Sequence, residues 1–120
     1  MSRLSEDLRD RTKSLATKVI RLYVSLPKRK KEVEVVGLQL LRSGTSVAAH
    51  AREASRARSD AEFCSKLDGL LQEADEAQLC VELSKDACAL ESDELNILHQ
   101  ELSEIPAIFT VIVSKVRRSL

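Results

Sequence analysis

Ser46, His50 and Glu53 have the side-chain types of a nucleophile, a general base and an acid, at spacings of four and three residues. On a helix these spacings place all three on one face. A catalytic set also needs mutual hydrogen-bond reach and a group that stabilises an oxyanion. Side chains stacked along one helix rarely converge on one reacting atom, and a helix interior has no free backbone N–H. The pattern therefore favours a buried polar network inside a bundle, and we predict that the chain is not an enzyme.

Metal and cofactor sites are not indicated by the remaining reactive side chains. His50 and His99 are the only histidines, and neither follows a Glu by three residues, as carboxylate-histidine sites in helical bundles require. The spacings between the cysteines include no CxxC or Cys/His ligand pattern. The cysteines are Cys64, Cys80 and Cys88. We predict no metal and no cofactor, and free thiols in a reducing compartment.

Four amphipathic helices must position these side chains, because apolar residues recur at steps of three and four along four segments. The segments run from near Ser5 to Pro27, from about Lys31 to Arg56, from Ser59 until the pattern fades between Lys85 and Ala89, and from Ser92 onward. Short connections make successive helices antiparallel. We predict an all-α, antiparallel up-down-up-down four-helix bundle that forms a single domain over residues 1–120. Pro106 should kink the last helix, because its ring removes one hydrogen bond.

The second helix carries the predicted packing surface of the bundle. Its small and apolar residues form one stripe that includes Gly37 and Gly44. Each glycine inside a helix costs about 1 kcal/mol relative to alanine. Close approach of a neighbouring helix is a reason to tolerate that cost. The third helix should begin with a capping box, in which Ser59 caps and Glu62 follows three residues later.

Arg42 and Glu53 lie eleven residues apart, on similar sides of the second helix. Each either pairs across to another helix and fixes its register, or lies at the rim of the bundle. We group these residues as a predicted structural motif: Arg42, Gly44, Ser46, His50 and Glu53.

The charges of the chain are balanced overall but unevenly distributed. Residues 1–58 contain 14 Lys and Arg against 6 Asp and Glu, whereas residues 59–120 contain 5 against 13. Such polarity favours pairing of the two halves, within a subunit or between subunits. The bundle topology gathers many cations at one end, namely Arg9, Arg11, Arg52, Arg56, Arg58, Lys115, Arg117 and Arg118. These cations either contact nucleic-acid phosphates or only complement helix dipoles.

Several segments resemble a bacterial four-helix-bundle family. They are Leu8–Ala16, Val19–Tyr23, Leu40–Val47, Arg52–Ala54 and Ala61–Phe63. The family includes proteins encoded within intervening sequences of 23S rRNA genes and accessory proteins of diversity-generating retroelements. The resemblance covers nearly the whole chain, and its most specific part is the Arg-Ser-Gly-Thr-Ser segment that begins at Arg42.

The resemblance implies a four-helix protomer that assembles into a homopentameric ring or barrel. In the retroelement branch, it also implies a basic surface that engages nucleic acid and a partner reverse transcriptase. Most other members have no assigned activity. This chain departs from the family at His50, where the family usually has Asn, and His50 replaces an amide hydrogen bond only in a particular tautomer.

Composition narrows the functional classes further. No apolar run approaches the roughly 18–20 residues of a membrane span, and the N-terminus lacks the apolar core of a signal peptide. We therefore expect a cytoplasmic protein with no membrane partner. Aromatic residues make up 2% of the chain, which argues against recognition of single strands by base stacking. We predict a non-enzymatic, homo-oligomeric accessory protein that binds structured RNA or DNA. The alternative is a protein-interaction scaffold that does not bind nucleic acid.

Overall fold

A computed structural model describes residues 2–120, and these residues form four α-helices. The helices are α1 (Glu6–Ser25), α2 (Lys31–Ser55), α3 (Asp60–Asp86) and α4 (Asp93–Arg118). The predicted all-α class is confirmed, and the helix ends agree with the sequence pattern to within a few residues. Within residues 2–120, no helix combines the length and the apolar character that crossing a bilayer requires.

Serine side chains cap three of the helices at their N-termini. The hydroxyls of Ser5, Ser59 and Ser92 accept from the backbone N–H three residues later, at 3.2, 3.0 and 3.1 Å. Each therefore satisfies one of the unpaired N–H groups of a helix start. The predicted capping box forms only in part, because Glu62 Oε2 lies 3.5 Å from Arg58 Nε and reaches out of the helix.

Lys28 closes the other end of α1. Its Nζ donates to the carbonyl of Tyr23 at 2.7 Å, and to the carbonyls of Val24 and Leu26 at 3.3 Å. The same ammonium lies 4.7 Å from the centroid of the Tyr23 ring. A cation is favourable at this position because the helix dipole ends there.

The four helices pack in the order α1, α2, α3, α4 around the bundle, each antiparallel to the next. The interface between α2 and α3 is the most extensive, and that between α1 and α4 is the smallest. The resulting bundle measures 48 × 22 × 21 Å. Its core is apolar, and fully buried members include Leu15, Leu40, Leu70, Leu102 and Phe109.

Gly37 and Gly44 allow α1 to lie close against α2, as predicted. A Cβ at Gly44 would lie 2.7 Å from Val19 Cγ2, and one at Gly37 would lie 2.8 Å from Leu26 Cδ1. Real Cβ atoms do not approach other atoms so closely. At Gly44 the absence of a side chain therefore sets the spacing of the two helices, whereas at Gly37 the end of the flexible Leu26 side chain occupies the free space.

Helix α4 continues through Pro106 without a break. Proline has no N–H to donate to the carbonyl of Leu102, and this loss is the usual cause of a bend within a helix. The residues on either side remain in the core, since Ile105 and Phe109 are buried. Val111, by contrast, faces outward and is 57% exposed.

Ion pairs join the two oppositely charged halves of the chain. Arg3 pairs with Asp60 at 2.6 Å, and Arg11 pairs with Glu101 and Glu104 at 3.1 and 2.6 Å. In each case a cation from the first half meets a carboxylate from the second. The predicted pairing of the halves therefore occurs within one subunit.

Candidate nucleic-acid interface

An open groove of about 1010 Å³ runs along the outer side of α2, between α1 and α3. Its basic lining comes from Arg9 and Lys13 of α1, Arg52 and Arg56 of α2, and Lys66 of α3. Ala48 and Ala49 also line it, and their short side chains leave room between the flanking helices. We call this feature the basic groove.

Helical spacing explains why the cations line up along the basic groove. Arg9 and Lys13 are four residues apart on α1, and Arg52 and Arg56 are four apart on α2. Residues at this spacing lie one above the other on the same helix face. Two cationic rows therefore run side by side on neighbouring antiparallel helices.

The basic groove has a net positive charge, because its cations outnumber its carboxylates. Its carboxylates are Asp10, Glu53 and Glu62, against five cations. Within residues 2–120, the cations of the two rows have no carboxylate oxygen within 4 Å; these are Arg9, Lys13, Arg52 and Arg56. Neighbouring helices thus hold four cations at a concave surface without neutralising them.

Of the eight cations predicted at one end of the bundle, only Arg9, Arg52 and Arg56 line the groove, and the other five do not. Arg11 points to α4, and its hydrogen bonds to Glu101 and then Glu104 raise the pKa of its guanidinium. Arg117 donates to Asp68 at 2.8 Å, and this bond likewise raises the pKa of Arg117. Arg58 pairs with Glu62. Three of the eight predicted cations are therefore neutralised by carboxylates.

Lys115 and Arg118 are exposed, but they lie on α4 and away from the groove. Among the described residues, α4 packs mainly against α1 and α3, and it lies diagonally across the bundle from α2, whose outer side lines the groove. The pairing of Arg117 with Asp68 also shows that α4 ends beside the third turn of α3, short of its first residue. Lys115 and Arg118 are therefore separated from the cations of the groove, because α4 packs on the other side of the bundle from the outer side of α2.

Ser46, His50 and Glu53 do not form a catalytic arrangement. The Ser46 hydroxyl donates to the carbonyl of Arg42 at 2.7 Å, within its own helix. His50 Nδ1 lies 2.9 Å from Glu53 Oε1, and the two side chains are 31% and 47% exposed. The predicted buried polar network is also wrong, because these residues lie at the surface of the α2–α3 interface.

Arg42 and Glu53 both pair across to α3, at the rim of the bundle. Arg42 contacts the carboxylates of Glu73 and Glu76, and Glu53 Oε2 lies 3.5 Å from Lys66 Nζ. Both alternatives that the sequence left open therefore apply. The pairs cross to another helix, and they lie at the solvated rim of the bundle. Exposed pairs of this kind contribute about 0.2–1 kcal/mol each.

Lys13, Lys66 and Gly69 are the groove and rim residues that the sequence analysis missed. Lys13 and Lys66 lie further inside their helices than the cations near the helix ends that the sequence predicted. The four-residue spacing from Arg9 to Lys13 was a usable signal. The His50 ring lies against Gly69, where a Cβ would be 3.1–3.3 Å from three ring atoms. Nothing in the sequence pairs these two residues.

Metal-binding clusters and stacking surfaces are not found at the groove. Among residues 2–120, no group of three or more His, Cys, Asp or Glu side chains is placed to hold a metal ion. The aromatic residues are Tyr23, Phe63 and Phe109, and none lines the groove. Phosphate contact is therefore the chemistry that the groove offers.

Comparison with known proteins places the bundle in a family. The family model described as 23S rRNA-intervening sequence protein matches residues 6–110. The chain also resembles a crystal structure of a protein of unknown function from the S23 ribosomal protein family of Bacteroides thetaiotaomicron VPI-5482. The two share 32% identity and a TM-score of 0.79, over 88% of this chain and 97% of that one. None of the curated proteins matches this chain.

Proposed function

This chain belongs to the 23S rRNA-intervening sequence protein family, and from that premise we propose that it is a non-enzymatic accessory protein that binds structured RNA or DNA. The observation that carries the proposal is the basic groove, in which four unpaired cations line a concave surface. Cations that already have carboxylate partners must lose them before they bind phosphate. Those of the groove need no such exchange.

Phosphates, and not bases, are the groups that the groove suits. Arg and Lys contacts to phosphate provide affinity without sequence information, and that affinity falls with salt as counterions are released. Sequence-specific recognition of single strands normally uses aromatic stacking. Because the groove has no aromatic side chain, we expect binding that depends on shape and charge.

Self-association is part of the same proposal. Four partly exposed apolar side chains on α1 and α2 are available for contact with another copy: Ile20, Val24, Val35 and Leu38. Several grooves in one assembly would bind an extended nucleic acid more tightly than one groove does, because the later contacts become intramolecular. A modest affinity per groove is then sufficient.

Fluorescence anisotropy with a labelled RNA hairpin and a labelled random-sequence DNA duplex tests the proposal. Binding should weaken with salt, and the triple variant Arg9→Gln, Arg52→Gln and Arg56→Gln should lower affinity at every salt concentration. The log–log slope should fall by about 0.7–0.9 for each arginine that contacts phosphate. Circular dichroism establishes that the variant is folded.

A matched control removes charge from the opposite end of the bundle. Arg29→Gln with Lys30→Gln alters two exposed cations between α1 and α2, far from the groove. This variant should keep the slope of the parent protein. Equal losses in the two variants would contradict a binding site in the groove, and binding that ignores salt would contradict phosphate contact altogether.

The second candidate function is a protein-interaction scaffold. The exposed apolar residues on α1 and α2 favour it, because Val24 in particular is 72% exposed. The same anisotropy experiment separates the candidates. Absence of binding to either probe at low salt supports the scaffold and rejects nucleic-acid binding.

A further inference from the structure

His50 lies beside the basic groove and contacts one of its carboxylates. Its Nδ1 is 2.9 Å from Glu53 Oε1, and the other oxygen of Glu53 is 3.5 Å from Lys66 Nζ. Both Glu53 and Lys66 line the groove. The charge of the histidine ring therefore acts directly on two groups of the proposed phosphate site.

The Nδ1 atom of His50 is buried and has no hydrogen bond with the described residues, although a carboxylate oxygen is close. The oxygen lies off the direction in which a ring N–H points, so the contact is one of charge and not a formed hydrogen bond. The contact with Glu53 stabilises a neutral His50 ring only slightly. It stabilises a cationic ring more, because the attraction between opposite charges does not depend on that alignment.

Other charged groups near His50 are already engaged. On α3, Gly69 lies under the ring, and Glu73, one turn further along, pairs with Arg42. Glu62, at the groove rim, pairs with Arg58. Glu53 and Lys66 are thus the neighbours that respond to the charge of the ring. Histidine ordinarily changes its charge between pH 5 and pH 8.

Protonation of the ring changes the balance of the groove. At alkaline pH the carboxylate of Glu53 repels phosphate and holds Lys66. A cationic His50 offsets the charge of Glu53, which adds one net positive charge at the wall of the groove and weakens the attraction of Glu53 for Lys66. Both effects favour an anionic ligand.

We propose that His50 is a proton-dependent regulator of the basic groove, which binds nucleic-acid phosphates more tightly at mildly acidic pH. The inference rests on the proposed function of the groove and adds its regulation. An exposed ion pair changes a free energy by about 0.2–1 kcal/mol, which corresponds to about a 1.4- to 5-fold change in affinity. The expected gain lies near the upper end of this range, because two groove groups respond together.

The test measures the dissociation constant of the labelled RNA hairpin at about pH 8.0 and about pH 5.5, a range in which histidine titrates, at one fixed salt concentration. The parent protein should bind about 3- to 5-fold more tightly at the lower pH. His50→Asn should bind equally at both, because an amide does not titrate in this range. Circular dichroism at each pH establishes that folding is unchanged.

Two further variants test whether the pH response comes from His50 and its contact with Glu53. His99→Asn removes the other histidine, which lies 3.2 Å from Glu82 on the α3–α4 side of the bundle, and it should keep the full response. Glu53→Gln should bind more tightly than the parent at about pH 8.0 and should lose most of the response. An unchanged response in His50→Asn, or no response in the parent protein, overturns the regulatory role alone. Absence of binding at both pH values overturns the proposed function and the regulation with it.

Discussion

The contact between Gly44 and Val19 shows how much one absent methyl group determines. Val19 is completely buried. A Cβ on residue 44 would lie within 3.2 Å of both methyl groups of Val19 and of the Cβ of Val19. A β-branched side chain has a single preferred rotamer on a helix, so Val19 cannot turn away. The helix backbones would have to separate.

Gly44→Ala should therefore destabilise the protein even though alanine favours helix. The gain in helix propensity is about 1 kcal/mol, whereas overpacking costs about 1–3 kcal/mol. We expect a net loss of up to about 2 kcal/mol in the free energy of unfolding, measured by urea denaturation.

Val19→Ala provides the matched background for this prediction. It removes the two methyl groups that the new Cβ would meet and leaves only the Cβ of residue 19, at 3.2 Å, so Gly44→Ala should cost less in that background than in the parent protein. Equal losses in the two backgrounds would show that something other than Val19 excludes the side chain.

At the scale of helices, α1 and α4 form the least extensive interface, and a polar cluster spans it. Arg11 reaches Glu101 and Glu104, while Gln100 also donates to Glu104. The hydrogen bond from Gln100, and then that from Arg11, lower the pKa of Glu104 from its ordinary value of 4.5. The carboxylate is thus favoured in the folded state.

This shift predicts a dependence of stability on pH. A lowered folded-state pKa gives stability that is present above the ordinary value and is lost as the pH falls through the lowered one. The free energy of unfolding should therefore decrease between about pH 5 and about pH 3, and Glu104→Gln should show a smaller decrease. Glu91→Gln removes an exposed carboxylate that forms no ion pair with the other residues of the 2–120 range, and it should keep the parent slope.

Sequence patterns predicted the helices and their caps well but not the direction of individual cations. Ser5, Ser59 and Ser92 are local signals, because a cap contacts a residue three positions away. Arg9 and Arg11, by contrast, are two residues apart and face opposite sides of α1. One lines the groove and the other binds α4. Both lie at the same end of the bundle, as predicted from the topology, but which neighbour each faces depends on how α1 is rotated in the packed bundle.

For the whole molecule, self-association is the property on which multivalent binding depends. Sedimentation velocity at micromolar concentration should show a species larger than the 13.4 kDa chain. Val24→Lys, on the exposed side of α1, should shift it towards the monomer, because a charge would be buried in the contact. Ser14→Lys, at another exposed position of α1, serves as the control. A monomeric parent protein would remove the multivalent contribution to binding.

The division of charge between the halves has a consequence for how the chain folds. The turn between Ser55 and Asp60 joins a cationic hairpin of α1 and α2 to an anionic hairpin of α3 and α4. Long-range attraction draws such hairpins together before their apolar faces meet, whereas two hairpins of like charge repel. We therefore expect electrostatic steering to speed the docking of the two hairpins during folding.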